Sequence, residues 1–110
     1  MGYLAVIVTI PHNRAKTLAK IVVASRLAAC ANIIKGVESV FWWEGKIEEA
    51  AEDIIIFKTR PELFELLKSL IKKNHPYQVP EIIAFKIDKG DAAYLGWIKE
   101  SCQSAVTPQS

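Results

Sequence analysis

The sequence predicts an α+β domain in which a four-stranded antiparallel sheet carries its helices on one face. Three observations lead there. The first apolar run is short, β-branched and stopped by a proline; two longer β-rich runs meet at a single glycine; and helical periodicity separates and follows them. With 110 residues there is room for one core, and 51 % apolar against 24 % charged residues matches an ordered globular chain. Residues 1–110 are therefore expected to form a single domain, with a polar tail from about 104 to 110 that frays.

Tyr3 to Ile10, bounded by Pro11, is expected to be a buried strand. From Arg14 to Ala29 the period becomes helical. Leu18, Ile21, Val22, Ser25 and Ala29 share one face, and Lys16 and Lys20 lie opposite. Asn13 is the expected N-cap, while Val23 and Leu27 fall beside Lys20 on the face that should be wet. Asn32–Glu44 and Lys46–Thr59 form a long hairpin turning at Gly45, which can take the positive φ such a turn needs.

Thr59-Arg60-Pro61-Glu62 has the spacing of a capping box. It should open a second helix that runs to Asn74 and buries Leu63, Leu67, Leu70 and Ile71. Pro76 and Pro80 punctuate a loop before a fourth strand, Ile82–Ile87, in which Ile83, Phe85 and Ile87 alternate with smaller or charged residues. Lys89-Gly90-Asp91 then turns into a third helix, about Ala92 to Gln103, with Tyr94, Leu95 and Ile98 as its buried stripe. The order βαββαβ plus a helix is the ferredoxin-like split βαβ arrangement. That fold hosts many functions, so function has to be argued from sites.

Composition narrows the choices. A net charge of +2 with interspersed signs argues against nucleic acid as a partner. No run approaches the roughly 18 apolar residues of a membrane span. Two cysteines in a chain with its own core point to a reducing compartment, so a cytoplasmic location is expected. No glycine-rich phosphate loop, C-x-x-C pair or base-stacking strand motif is present. We expect no organic cofactor and no catalysis.

The thirteen residues Asn32–Glu44 would span about 40 Å at ~3.3 Å per residue if unbroken, which is longer than a domain of this size can cover. Phe41, Trp42 and Trp43 sit consecutively near its tip and point to alternate faces. Either a second copy of the chain covers them, or a bulge at Gly36 curls the hairpin back over its own sheet.

Specific strings then become recognisable: RLAACANI at 26–33, SVFWWEGKI at 39–47, IIIFKT at 54–59, HPYQVPEII at 75–83 and YLGWI at 94–98. In this order and spacing the chain closely resembles the CutA divalent-cation-tolerance family over nearly its whole length. The resemblance implies a homotrimer, similar in assembly to the PII signalling proteins, that is linked to metal tolerance and copper binding and has no established reaction. Pro11-His12-Asn13 departs from the small or acidic residues that often precede the family's first helix, so His12 inherits no family role.

Cys30 and His75 are the candidate metal ligands, since thiolate and imidazole suit copper or another soft or borderline divalent cation. Lys58, Tyr77 and Glu81 are the candidate ligand-binding residues, with Tyr77 and Glu81 on the same proline-stiffened loop as His75. Bland readings stand beside these: Cys30 as a small packed hydrophobe, His75 closing a helix end, Tyr77 packing, and Glu81 and Lys58 solvated. Glu48, Glu49, Glu52 and Asp53 are expected to form a solvated hairpin tip. The leading function is a trimeric divalent-cation-tolerance protein that binds copper or another divalent metal. The alternatives are a PII-like sensor of a small anionic metabolite and a structural adaptor for partner proteins.

Overall fold

Alternation along the first strand decides which side of the sheet is inside. In β1 (Leu4–Pro11), Leu4, Val6, Val8 and Ile10 are buried, and the residues between them are only half covered. The computed structural model describes residues 2–104, so residues 105–110 of the expected frayed tail lie outside the described residues. After β1 come α1 (Ala15–Ala24), β2 (Cys30–Trp43), β3 (Lys46–Thr59), a 3-10 turn at Pro61–Leu63, α2 (Phe64–Lys73), β4 (Ile82–Lys86) and α3 (Ala92–Ser101). The sheet order is β2-β3-β1-β4, antiparallel at each pairing. This is the expected ferredoxin-like α+β fold.

The core lies between the sheet and its helices. Val6, Val8, Ile55 and Phe57 meet Leu18 and Val22 of α1, Leu67 and Ile71 of α2, and Ile98 of α3. Register then assigns the opposite face: Ala5, Ile7 and Thr9 stand across from Lys58, Ile56 and Ile54, which in turn oppose Cys30, Asn32 and Ile34. On the β4 side, Ala5 and Ile7 oppose Phe85 and Ile83. Away from its Cys30 end, which Tyr94 of α3 reaches, this second face is left uncovered by the helices and is nevertheless apolar. Ile83 and Phe85, picked out by their alternation in the fourth strand, belong to it and are largely exposed.

Several local expectations are corrected. Asn13 does not cap α1; it sits at φ 72, and Arg14 takes the cap position without a side-chain bond. α1 ends five residues early, because Arg26 adopts φ 62 and the N–H groups of Arg26 and Leu27 return to the carbonyls of Val23 and Val22. This is a Schellman stop without its usual glycine, and it turns Leu27 into the core instead of onto the wet face. The capping box does not form. Thr59 ends β3 and donates to the Leu27 carbonyl at 2.7 Å, and the Glu62 carboxylate meets Arg60 at 2.9 Å. On α3, Tyr94 is not part of the buried stripe; Ile98 is fully buried and Leu95 partly so.

The hairpin turns at Glu44-Gly45, both at positive φ as a two-residue primed turn requires. β3 pairs with β2 over nearly its whole length but with β1 only from Glu52 to Thr59, so the rest projects, and the molecule measures 43 Å along its longest axis. The bulge at Gly36 that the alternative reading required is present, between Ile34 and Val37. It does not bury the tip: Val40, Trp42 and Ile47, on one face of the projection, are 67 %, 72 % and 62 % exposed. Because Phe57 is fully enclosed between sheet and helices, Phe57→Ala should lower unfolding free energy by about 3–5 kcal/mol in urea titration; an unchanged midpoint would contradict this core.

Candidate functional site

The sequence-picked residues separate into two groups, at opposite ends of the helix-free face. At one end Cys30 of β2 lies directly across from Lys58 of β3. The Lys58 ammonium donates to the Asn32 side-chain oxygen and lies 3.9 Å from the Cys30 sulfur, which is 3.7 Å from the Tyr94 hydroxyl on α3. That contact with Cys30, with burial adding to it, raises the Tyr94 phenol above its ordinary value. Lys58 therefore does not share a pocket with Tyr77 and Glu81, as an anion site built from all three would require.

At the other end, the loop after α2 folds against the last residues of β1. His75 is buried, and its Nε2 donates to the Thr9 carbonyl at 2.7 Å while Nδ1 accepts the Tyr77 N–H at 3.1 Å. Both ring nitrogens are thus engaged, which fixes the tautomer and leaves no lone pair for a metal. His75 does not close its helix; Asn74 does, donating from Nδ2 to the Leu70 carbonyl. The role His75 plays is to brace the loop that carries Tyr77 and Glu81. The Tyr77 hydroxyl donates to Glu52 at 2.7 Å, and the Thr9 hydroxyl donates to Glu81 at 3.4 Å.

This loop and the projecting hairpin enclose a cleft of about 760 Å³. Phe41, Trp43 and Tyr77 line it together with Glu48, Glu49, Glu52 and Glu81. Glu52 and Asp53 are not solvated tip residues, being 4 % and 1 % exposed. Asp53 points to the helix side, accepting from His12 Nδ1 at 2.8 Å and from the N–H groups of Asn13 and Gly36 at 3.0 Å each. The single carboxylate thus holds the β1–α1 turn and the β2 bulge together. The sequence signal for these two residues is the run of four acids in a strand, where acids are depleted. Among the described residues no three His, Cys, Asp or Glu side chains converge to hold a metal ion.

Fold and site together define a ferredoxin-like α+β protein with an acidic, aromatic-walled cleft at one end of its sheet and a single thiol, Cys30, among Asn32, Lys58 and Tyr94 at the other. A family model described as CutA1 divalent ion tolerance protein matches residues 4–101. The chain belongs to this CutA family. It is 46 % identical over 103 residues to a chloroplastic CutA 1 of Oryza sativa, covering 93 % of this chain and 58 % of the relative. It is 42 % identical to the divalent-cation tolerance protein CutA of Thermus thermophilus, covering 87 % and 94 %. The crystal structure of Oryza sativa CutA1 superposes with a TM-score of 0.91 at 44 % identity, covering 94 % of this chain and 95 % of that one. The solved structure of the divalent cation tolerance protein (Cut A1) from Thermus thermophilus gives 0.90 at 40 % identity, covering 92 % and 99 %. The chain spans less than two thirds of the plant relatives and nearly all of the bacterial one.

Two titrations check the geometry. The His12 hydrogen bond, reinforced by the Gly36 and Asn13 N–H groups, holds the Asp53 carboxyl below its ordinary value against the opposing effect of burial. Its stabilisation is then complete above about pH 4, the unfolded value, and lost as pH falls towards the lowered folded one. Asp53→Asn should lower the melting temperature at neutral pH and flatten its decline over that acid window; an unchanged acid profile would refute the clamp. Burial, the bond to Glu52 and the Glu52 charge push the Tyr77 phenol up to about 12. Glu52→Gln should move that phenolate transition down in ultraviolet titration, though burial keeps it above about 10.

Proposed function

We propose that this chain works as a homotrimer in divalent-cation tolerance, binding copper or a similar cation through side chains that only the assembly brings together. The observation that carries this is the apolar face without helices. A sheet is stable in water when at most one face is apolar and uncovered faces are polar, whereas Ile7, Ile34, Ile54, Ile56, Ile83 and Phe85 all lie on the side opposite the core. Another copy of the chain is the natural cover, through a closed rotational assembly. The long β2 edge and the exposed apolar stripe Val40, Trp42 and Ile47 point the same way, since both invite pairing with another chain.

Cys30 lies at one end of that face, partly accessible. A rotational assembly with Cys30 near its axis would gather one Cys30 from each subunit, supplying the further thiolate ligands that a single chain lacks; thiolates favour copper and zinc over hard cations. His75 is not part of this centre, because its nitrogens hold the loop. The anionic-metabolite reading loses its support with the separation of Lys58 from the cleft. A non-catalytic role in a reducing cytoplasm completes the proposal and accords with two free cysteines, of which Cys102 is buried, with its thiol pushed up by that burial.

Sedimentation at micromolar concentration should give three times the chain mass, and Ile54→Glu or Trp42→Glu should dissociate it; a wild-type monomer would end the proposal. In calorimetric titration with Cu(II), and with Cu(I) under reducing conditions, Cys30→Ser should weaken binding about tenfold or more with the trimer intact. Undiminished copper binding in that variant would remove Cys30 from the site.

A further inference from the structure

We propose that the cleft between the hairpin and the 75–81 loop is a binding site for an organic ammonium ion, distinct from the metal centre and independent of Cys30. Its size falls within the ~300–1,000 Å³ typical of small-molecule sites. Its walls combine the two features that recognise such a cation: the aromatic faces of Phe41, Trp43 and Tyr77, and the carboxylates of Glu48, Glu52 and Glu81. No lysine, arginine or histidine is among the described residues lining it.

Glu52 separates this cleft from a merely acidic surface. It is 96 % buried, yet among the described residues the one hydrogen bond its carboxylate accepts is the one Tyr77 donates to Oε2. A carboxylate carries roughly four lone-pair sites, so most of its accepting capacity is unused. No fully enclosed side-chain oxygen in the described structure lacks a partner, so Oε1 is not fully enclosed, and Glu52 is one of the residues that line the cleft. A buried, half-engaged carboxylate favours a ligand that brings both a positive charge and N–H donors.

The same geometry argues against a bare divalent ion here. Hard cations demand six or more converging oxygens, and no three metal-binding side chains converge among the described residues. An ammonium asks for less: one or two charge-assisted hydrogen bonds at its head and apolar or aromatic surface along its stem. Pro76, Val79 and the rings supply that surface. Register places Phe41, Trp43 and Glu48 on the same side of the hairpin as Glu52, whereas Val40 and Trp42 alternate to the other side. The cleft and the exposed apolar stripe proposed above for assembly meet at Val40, which also lines the cleft, whereas Trp42 and Ile47 are not among its lining residues.

The test is calorimetric titration of the intact protein with 1,5-diaminopentane, with magnesium and hexanoate as comparisons, followed by the same titration with a tripeptide carrying one central lysine and blocked ends. The diamine should bind saturably, and magnesium and hexanoate should not. Glu52→Gln and Trp43→Leu should each weaken the diamine by about tenfold or more, and Cys30→Ser should leave it unchanged. If Glu52→Gln does not fold, Glu81→Gln on the exposed loop takes its place, with a several-fold loss expected. Tighter binding of the tripeptide than of the diamine would identify a lysine side chain as the natural source, and the reverse order a free amine. Absence of diamine binding, equal binding of magnesium, or indifference to both Trp43→Leu and the glutamate substitution would overturn the proposal. Because copper binding is read through Cys30 and amine binding through Glu52 and Trp43, either can fail without the other.

Discussion

Everything distinctive about this structure follows from β3 being longer than β1 on its inner side. Over Glu52–Thr59 it has neighbours on both sides and behaves as a central strand; from Lys46 to Ala51 it keeps only β2. The hairpin leaves the body of the sheet at one level, where Ile10 faces Asp53 and Pro11 faces Glu52. A projecting two-stranded ribbon is marginal on its own, so its direction has to be held at that level. Asp53 does this by accepting from the turn beyond β1 and from the bulge in β2, joining two backbones that would otherwise splay. The bulge increases local twist, and Gly36, at φ 77, presents its N–H to the carboxylate.

The neighbouring residue uses the same level for the opposite purpose. Glu52 faces the other side of the sheet, where Tyr77 reaches over to it from a loop braced by His75. Consecutive acids in one strand therefore serve two faces: one clamps the fold, and the other lines the cleft. This explains how a chain can keep two carboxylates almost fully buried. Asp53 has three donors, while Glu52 has one donor and lines the cleft. It also explains why His75 is structural, since without its bond to the Thr9 carbonyl the loop carrying Tyr77 and Glu81 would lose its anchor on β1.

On the helix-free face, a row of isoleucines runs between two polar ends. Cys30, Asn32 and Lys58 close one end and the Glu52–Tyr77 cleft the other. A single domain with all its helices on the opposite side has nothing with which to cover this row. The proposed assembly and the proposed ligand sites are consequences of one shortage: the chain makes more apolar sheet than its three helices can shield.

The sequence by itself determined the elements, their order and the overlong hairpin, because these depend on periodicity and turn chemistry within a few residues. Gly45 marked the primed turn, Pro11 the end of β1, and the strings around Cys30, Trp42 and His75 the family. Tertiary structure alone decided the rest. Arg26 ends α1 at positive φ without a glycine to announce it, and its side chain and carbonyl are engaged by Ser101 and Gln103, far along the chain. Thr59 carried a cap signature, but the Leu27 carbonyl offered its hydroxyl a buried acceptor from 32 residues away. Cys30 and His75 looked like partners on a list of ligand types, but strand register puts them at opposite ends of a sheet. Glu52 and Asp53 looked like surface charges because burial is set by what crosses over a strand, and the groups that cross over these two come from the β1–α1 turn, β2 and the loop after α2. Local pattern fixes backbone conformation, whereas the partners of a polar side chain are chosen by chain crossings that no local pattern records.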